Sequence, residues 1–339
     1  MRLQIVPFSE EHLDAAAILL AARHREHRRL EPALPAGFEE PAVARSVVAA
    51  LLAESAGFAA LHDGVLAGYL LGAPVQVPPE HWANPFVWPA ATSVAYAGHA
   101  VGPADQTATY QALYAALGGK WRSEGYATHD IAVATADQPA LDAWFALGFG
   151  RFLSLSVRET GPVAHGEPGR PLSFRQATAD DAAAVIALVE ELFRTFDDPP
   201  IFMPALPATR PHLRERVRET LADPGSTAWL AVHDDRVLGI QIFETPTAAR
   251  WEHDPIVTPA RSLYLFMAAT APEARSLGVG AALLDRSMRW AHSAGFARCM
   301  LHFLPASRAS FFWQRLGFRA YLHELRRTID PRVMPADRA

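Results

Sequence analysis

Cysteine is nearly absent: Cys299 is the only one in 339 residues, which excludes an internal disulfide and any metal site built on several cysteines. Long apolar runs are missing too. No stretch of about 18 uninterrupted apolar residues occurs, although 50% of the residues are hydrophobic, so the composition fills ordinary cores without supplying a membrane span. The opening Met1-Arg2-Leu3-Gln4-Ile5-Val6-Pro7 has neither the apolar stretch nor the cleavage signal of a secretory peptide. Charge of one sign is also lacking, with a net charge of −5 from mixed acids and bases, which argues against nucleic acid as a partner. The densest basic stretch, Arg23-His24-Arg25-Glu26-His27-Arg28-Arg29, reads as the solvated end of an early helix, where cations are favoured. The expectation is a soluble cytoplasmic protein with no membrane or nucleic-acid partner. A chain of this length exceeds the usual size of one core, so two domains are expected.

What is present is a repeat. Leu3 to Leu13 matches Leu172 to Ala182: a strand, a capping Ser or Thr, acids in the first turn, then an apolar helix. Gly57 to Gly68 matches Thr227 to Gly239, each a hairpin with an Asp-Gly or Asp-Asp turn. Ala143-Trp144-Phe145-Ala146-Leu147-Gly148-Phe149 matches Phe312-Trp313-Gln314-Arg315-Leu316-Gly317-Phe318. Three matches in one order, each offset by about 170 residues, predict two copies of one α/β fold. Residues 159–171 between them are polar and rich in Gly and Pro, as a linker is. The expected division is a first copy over 1–158, the linker, a second copy over 172–330 and a tail over 331–339.

The most informative local motif lies in the second copy. Leu263 to Thr270 reads as a buried strand, and Ala281 to Trp290 has helical spacing, with Leu284, Ser287, Met288 and Ala291 on one side. Between them runs Arg275-Ser276-Leu277-Gly278-Val279-Gly280. A helix that starts at glycines offers unpaired N–H groups and the positive end of its dipole, and it lets an anion approach the backbone closely. Arg275 adds a full charge. Alone, a glycine pair before a helix is equally a structural turn. With Pro272 three residues ahead of the arginine and the Phe-Trp-Gln-Arg-Leu-Gly-Phe run some 40 residues on, the pattern resembles the acyl-CoA site of the GCN5-related N-acetyltransferase (GNAT) superfamily.

The resemblance covers 172–329 and implies two tandem GNAT-type domains, each a mixed, mostly antiparallel sheet flanked by helices. It implies that Arg275, Ser276, Leu277, Gly278, Val279, Gly280 and Ala281 hold the pyrophosphate of acetyl-CoA. It further implies that Met267, Ala268, Ala269 and Thr270 pair with the pantetheine arm where two central strands splay apart. In the first copy Asp105-Gln106-Thr107-Ala108-Thr109-Tyr110 stands against Arg275 to Gly280. Both glycines and the arginine are gone, and an aspartate repels a pyrophosphate, so this copy is expected to bind no cofactor and to support the other. Tandem members of the family with one degenerate half have a similar layout.

Amine acetylation needs a neutral amine, an oxyanion donor and a proton source for the departing thiolate. The family's tyrosine acid falls on Trp313, whose indole donates hydrogen bonds but no proton, and its asparagine falls on Ala306. His302, in Cys299-Met300-Leu301-His302-Phe303-Leu304, is the first candidate for the base, because its unperturbed pKa suits the task. Glu244 is the second, on condition that its strand ends there and turns it to the cleft. Tyr264 is a candidate donor to the thiolate. Each of the three also reads as an ordinary core or strand-end residue.

For substrate, Thr195 to Pro204 occupies the family's recognition-loop position, and Phe196, Asp197, Asp198 and Phe202 suit a cationic small-molecule amine, with Trp313 beside them. A proline-rich surface loop is the competing reading. Trp251-Glu252-His253-Asp254 crowds its donors into adjacent positions that do not converge on a metal, and no metal site is expected. Pro78 to Trp88, an aromatic-rich insertion of the first copy, is expected to pack between the domains or to cover the cleft. Two functions stay open on these residues: a small-molecule N-acetyltransferase and a non-catalytic acyl-CoA-binding protein.

Overall fold

The structure, a computed structural model, describes residues 3–88, 90–204, 206–246 and 254–335. The first half runs β1 (Leu3–Pro7), α1 (Leu13–Leu30), α2 (Pro41–Glu54), β2 (Ala56–His62), β3 (Val65–Val75), β4 (Ala91–Val94), β5 (His99–Val101), α3 (Gln106–Ser123), β6 (Thr128–Ala134), α4 (Gln138–Ala146) and β7 (Gly150–Glu159). The second half repeats the order: β8 (Ser173–Gln176), α5 (Ala182–Arg194), α6 (Arg210–Ala222), β9 (Ser226–His233), β10 (Arg236–Glu244), β11 (Ser262–Thr270), α7 (Val279–Ser293), β12 (Arg298–Phe303), α8 (Arg308–Arg315) and β13 (Arg319–Thr328). β4 and β5 together correspond to the two ends of β11. None of the described helices is long and apolar enough to cross a membrane.

Local chemistry accounts for the matched turns. The β2–β3 hairpin turns on Asp63 and Gly64 and the β9–β10 hairpin on Asp234 and Asp235, all with positive φ, as a two-residue turn that follows the strand twist requires. α4 and α8 both end in a Schellman motif. Gly148 (φ 83°) and Gly317 (φ 88°) take the left-handed position, while Phe149 N–H reaches Trp144 O and Phe318 N–H reaches Trp313 O, each at 3.1 Å. The apolar contact that accompanies this motif is Trp144 on Phe149 at 5.0 Å and Trp313 on Phe318 at 5.5 Å between ring centroids. The repeated Trp-x-x-x-Gly-Phe spacing is thus a helix stop.

The strands join into one sheet in the order β1-β2-β3-β4-β6-β13-β7-β12-β11-β10-β9-β8, with β5 beside β3. The last strand of each half lies against the other half. β13 runs antiparallel to β6 from Leu322 opposite Ala134 to Thr328 opposite Thr128, and β7 runs antiparallel to β12 from Arg298 opposite Glu159 to Phe303 opposite Ser154. β7 and β13 also pair with each other. The segments 1–158 and 172–330 therefore do not close as separate sheets. Ion pairs cross the join: Arg326 grips Asp130 at 2.7 and 2.8 Å, and Arg319 grips buried Glu31 at 2.8 and 3.0 Å. The stretch between the halves is itself packed, since Val163 is buried with its N–H on Asp285 at 2.7 Å, and Gly169 N–H bonds to Leu277 O at 2.9 Å.

One expectation fails inside α1. Arg23-to-Arg29 is not a wholly solvated helix end, because His24 and His27 are buried and only the alternate positions, Arg25, Glu26 and Arg29, face solvent. Helical periodicity turns residues 24 and 27 inward, where Tyr96 Oη meets His24 Nδ1 at 3.0 Å and His27 Nδ1 at 2.8 Å.

Candidate active site

The glycine turn is built as an anion cradle. After Pro272–Ala274, Ser276 (φ 64°) and Gly278 (φ 78°) turn the chain into α7, where Ala282 N–H bonds to Gly278 O at 3.0 Å and the N–H groups of the first turn point out of the helix start. Space at Gly280 is tight, since a Cβ there would stand 3.2 Å from the Phe312 ring, which would have to give by a few tenths of an ångström, and 3.4 Å from Thr270 Oγ1. A buried pair holds the turn to the sheet: Ser287 Oγ donates to Gln241 Oε1 at 2.7 Å, and Gln241 Nε2 donates to Gly280 O at 3.3 Å. Arg275 lies half-exposed beside the turn, bound to Glu191 on α5 at 3.0 Å.

The sheet opens next to this turn. β11 and β12 are parallel and paired only from Ser262–Arg298 to Tyr264–Met300, after which they diverge, helped by a bulge in β11 between Met267 and Leu265. Between the diverging strands lies a cavity of about 550 Å³ that extends from Met267, Ala268 and Arg275 to Trp313. Three of its polar side chains form a chain of contacts. Tyr264 Oη is 2.9 Å from His302 Nδ1, and His302 Nε2 is 3.4 Å from Glu324 Oε1. Tyr264 and His302 share a sheet face because they sit on neighbouring strands in matching alternation, and Glu324 reaches them from β13 across β7, where it stands opposite Leu153.

The remaining expected residues divide. Phe196, Asp198 and Trp313 line the cavity, whereas Asp197 and Phe202 do not, and Phe202 is 72% exposed. Glu244 is the last residue of β10, still opposite Tyr264 in register, and its buried carboxylate accepts from Arg216 and Thr220 of α6, away from the residues that line the cavity. Glu324 has no local motif; only the strand exchange brings it in. Trp251, Glu252 and His253 lie outside the described residues. Cys299 is buried, and burial pushes its thiol up to about 12, so it supplies no nucleophile. From the first half, Trp82 and Phe86 of the aromatic insertion form a wall of the cavity, so the insertion both packs and covers.

Residues 189–318, which hold the turn, the splay and His302, match the acetyltransferase (GNAT) family. That stretch is a GNAT acetyltransferase domain. Its class of chemistry is acyl transfer from an acyl-CoA to an amine. A GCN5-related N-acetyltransferase from Sphaerobacter thermophilus has a similar fold over nearly the whole chain, at 17% identity and a TM-score of 0.60, covering 97% of this chain and 96% of that one. A GCN5-related glucosamine N-acetyltransferase region of a fungal multi-domain β-N-acetylglucosaminidase is similar at 11% identity and a TM-score of 0.52, covering 96% of this chain and 38% of that one. A tandem GNAT protein from the clavulanic acid biosynthesis pathway covers 97% of this chain and 99% of its own, at 15% identity and a TM-score of 0.48. No curated protein sequence matches the chain. At these identities the structural likeness is one of fold.

The counterpart of the GNAT domain's cradle in the first half is filled. Tyr110, at the position of Gly280, is buried on α3, with its hydroxyl 2.9 Å from His99 Nδ1 and its ring 5.3 Å from Trp144. Arg23 donates to the same His99 Nδ1 at 3.0 Å, which leaves the ring proton on Nε2, facing Ala132 O at 3.0 Å. Burial and the nearby Arg23 charge push His99 down to about 3, so the ring stays neutral. Asp137 faces His27 Nε2 at 3.3 Å. This polar plug occupies the place where the second half keeps its splay open.

Proposed function

We propose that the protein transfers an acetyl group from acetyl-CoA to the amine of a small molecule, with the chemistry in the second half. The observation that carries this reading is the coincidence of three features: a glycine turn at the start of α7, a splay beside it, and a Tyr264–His302–Glu324 chain facing the same cavity. The N–H groups of Ser276 to Ala281 and the helix dipole fit a pyrophosphate. The free edge of β11 beyond Tyr264 fits an amide-bearing arm. Bound there, acetyl-CoA supplies the electrophilic thioester carbonyl.

The residues divide the proton work. The Glu324 carboxylate, the most exposed member of the chain, attracts a substrate ammonium, which gives one proton to solvent, and sets the resulting neutral amine against His302 Nε2. In the tautomer with its proton on Nδ1, His302 accepts the amine proton at Nε2 and passes the Nδ1 proton to Tyr264 Oη, 2.9 Å away. Tyr264 in turn releases its own proton to the departing sulfur. One proton leaves nitrogen, one reaches sulfur, the C–N bond forms as the C–S bond breaks, and the relay ends neutral. Trp313 packs as part of a helix stop and takes no proton.

The test is release of free CoA from acetyl-CoA with a panel of amines, run beside the CoA-induced shift in melting temperature. Turnover with at least one amine is expected. A thermal shift without turnover on any amine would replace this reading with that of an acyl-CoA-binding protein.

A further inference from the structure

The wall opposite the relay is apolar and comes from both halves of the chain. Trp82 stands edge-on to Phe266 at 5.2 Å, and Phe86 is edge-on to Phe196 at 5.6 Å and to Phe193 at 6.1 Å. Two hydroxyls at the cavity are turned to their own backbone, Thr195 Oγ1 donating to Leu192 O and Ser307 Oγ to Leu304 O, both at 2.7 Å, while Tyr264 Oη faces His302. A substrate rich in hydroxyl groups would therefore find donors only at the charged and relay side chains, Arg275, Arg308 and Tyr264, and would lose water against the aromatic wall at a cost per unmatched group. Its amine, by contrast, finds Glu324 inside and Asp198 at the exposed end of the recognition loop.

We propose that the acceptor is a primary amine carried on an aromatic or branched aliphatic body, and that Trp82 and Phe86 of the first half select that body. The proposal rests on the acetyltransferase reading and assigns the degenerate half a direct part in specificity. Two aromatic edges from an insertion at residues 78–88 form a slot for a ring or a branched chain, while the carboxylates hold the charged end. The insertion is fixed by Arg326, which donates to Phe86 O at 2.7 Å while bound to Asp130, so the slot is a rigid part of the sheet junction.

The experiment compares acetylation of phenethylamine, ethanolamine and glucosamine by the full chain, by Trp82→Ala and by Phe86→Ala, with CoA binding followed on each. Burying a phenyl ring is expected to favour phenethylamine over ethanolamine by about a hundredfold in kcat/KM. Each substitution is expected to raise KM for phenethylamine roughly tenfold, with kcat/KM for ethanolamine and the CoA thermal shift nearly unchanged. Phenethylamine no better than ethanolamine or glucosamine overturns the proposal and leaves the acetyltransferase reading standing. So does an unchanged KM in both variants. Failure of every amine while CoA still binds overturns the reading and the proposal together.

Discussion

The two halves place opposite residues at the same point of the same fold. Where the second half has Gly280, with Phe312 and Thr270 within 3.4 Å of its missing Cβ, the first has Tyr110, whose ring fills the space and whose hydroxyl meets His99. Around that point the differences reinforce each other. The second half keeps glycines at its turn and its strands apart, while the first packs Arg23, His27, Tyr96, His99 and Asp137 into the corresponding gap. An open turn and a filled one need the same helix and sheet. What separates them is whether the chain's own polar side chains fill the gap.

The sharpest way to break this comparison is to write the first half into the second. Gly280→Tyr is expected to abolish the CoA-induced rise in melting temperature and to cut acetylation by more than about a hundredfold, since even a 1 Å misplacement costs that much. An undiminished thermal shift would refute the placement of the cofactor. His302→Gln acts on chemistry alone: kcat should fall by about 10² or more with the CoA shift retained, and Tyr264→Phe should fall less. Equal kcat in wild type and His302→Gln would remove the relay from the mechanism.

The reverse exchange is not symmetrical. Tyr110→Gly is expected to cost about 3–5 kcal/mol of stability, read from denaturant unfolding, because it empties a packed position and strands Arg23 and His99. A second CoA bound per chain in that variant would show that Tyr110 alone closes the site. The last effect is on pH. Because His99 is held down to about 3, the unfolded chain takes up a proton below its ordinary range that the folded chain refuses, so stability falls as pH drops from about 6.5 towards 3. The slope from this one group is at most about 1.4 kcal/mol per pH unit. His99→Gln should flatten that part of the melting-temperature profile, and an unaltered profile would mean that the plug does not govern acid stability.

Much of this was legible in local chemistry. The Asp-Gly and Asp-Asp hairpins, the Leu-Gly-Phe helix stops and the Arg275-to-Gly280 turn each depend on residues close in the chain, and each reads the same in three dimensions. Glu324 and the exchange of β7 with β13 were not legible, because strand order is set by pairing across about 170 residues and leaves no local mark. The same distance hid the plug: Arg23, His24 and His27 look like a solvated helix end until Tyr96 and His99 arrive from another part of the chain. Glu244 misled for a different reason. Whether a strand's final residue turns to a cleft or stays in register depends on what lies above it, here Arg216.

The strand exchange also constrains inheritance. The first half supplies β7 to the second half's sheet and receives β13 in return. Removing it would expose the edge of β12 to solvent and take Leu153, Trp82 and Phe86 away from the cavity. Substitution is therefore expected to be tolerated at the exposed mouth of the first copy, at Asp105, Thr107 and Ala108, and not in its last strand or its aromatic insertion, which serve the second half. The two copies are one heritable unit, and neither gene fragment would encode a domain that folds with closed edges.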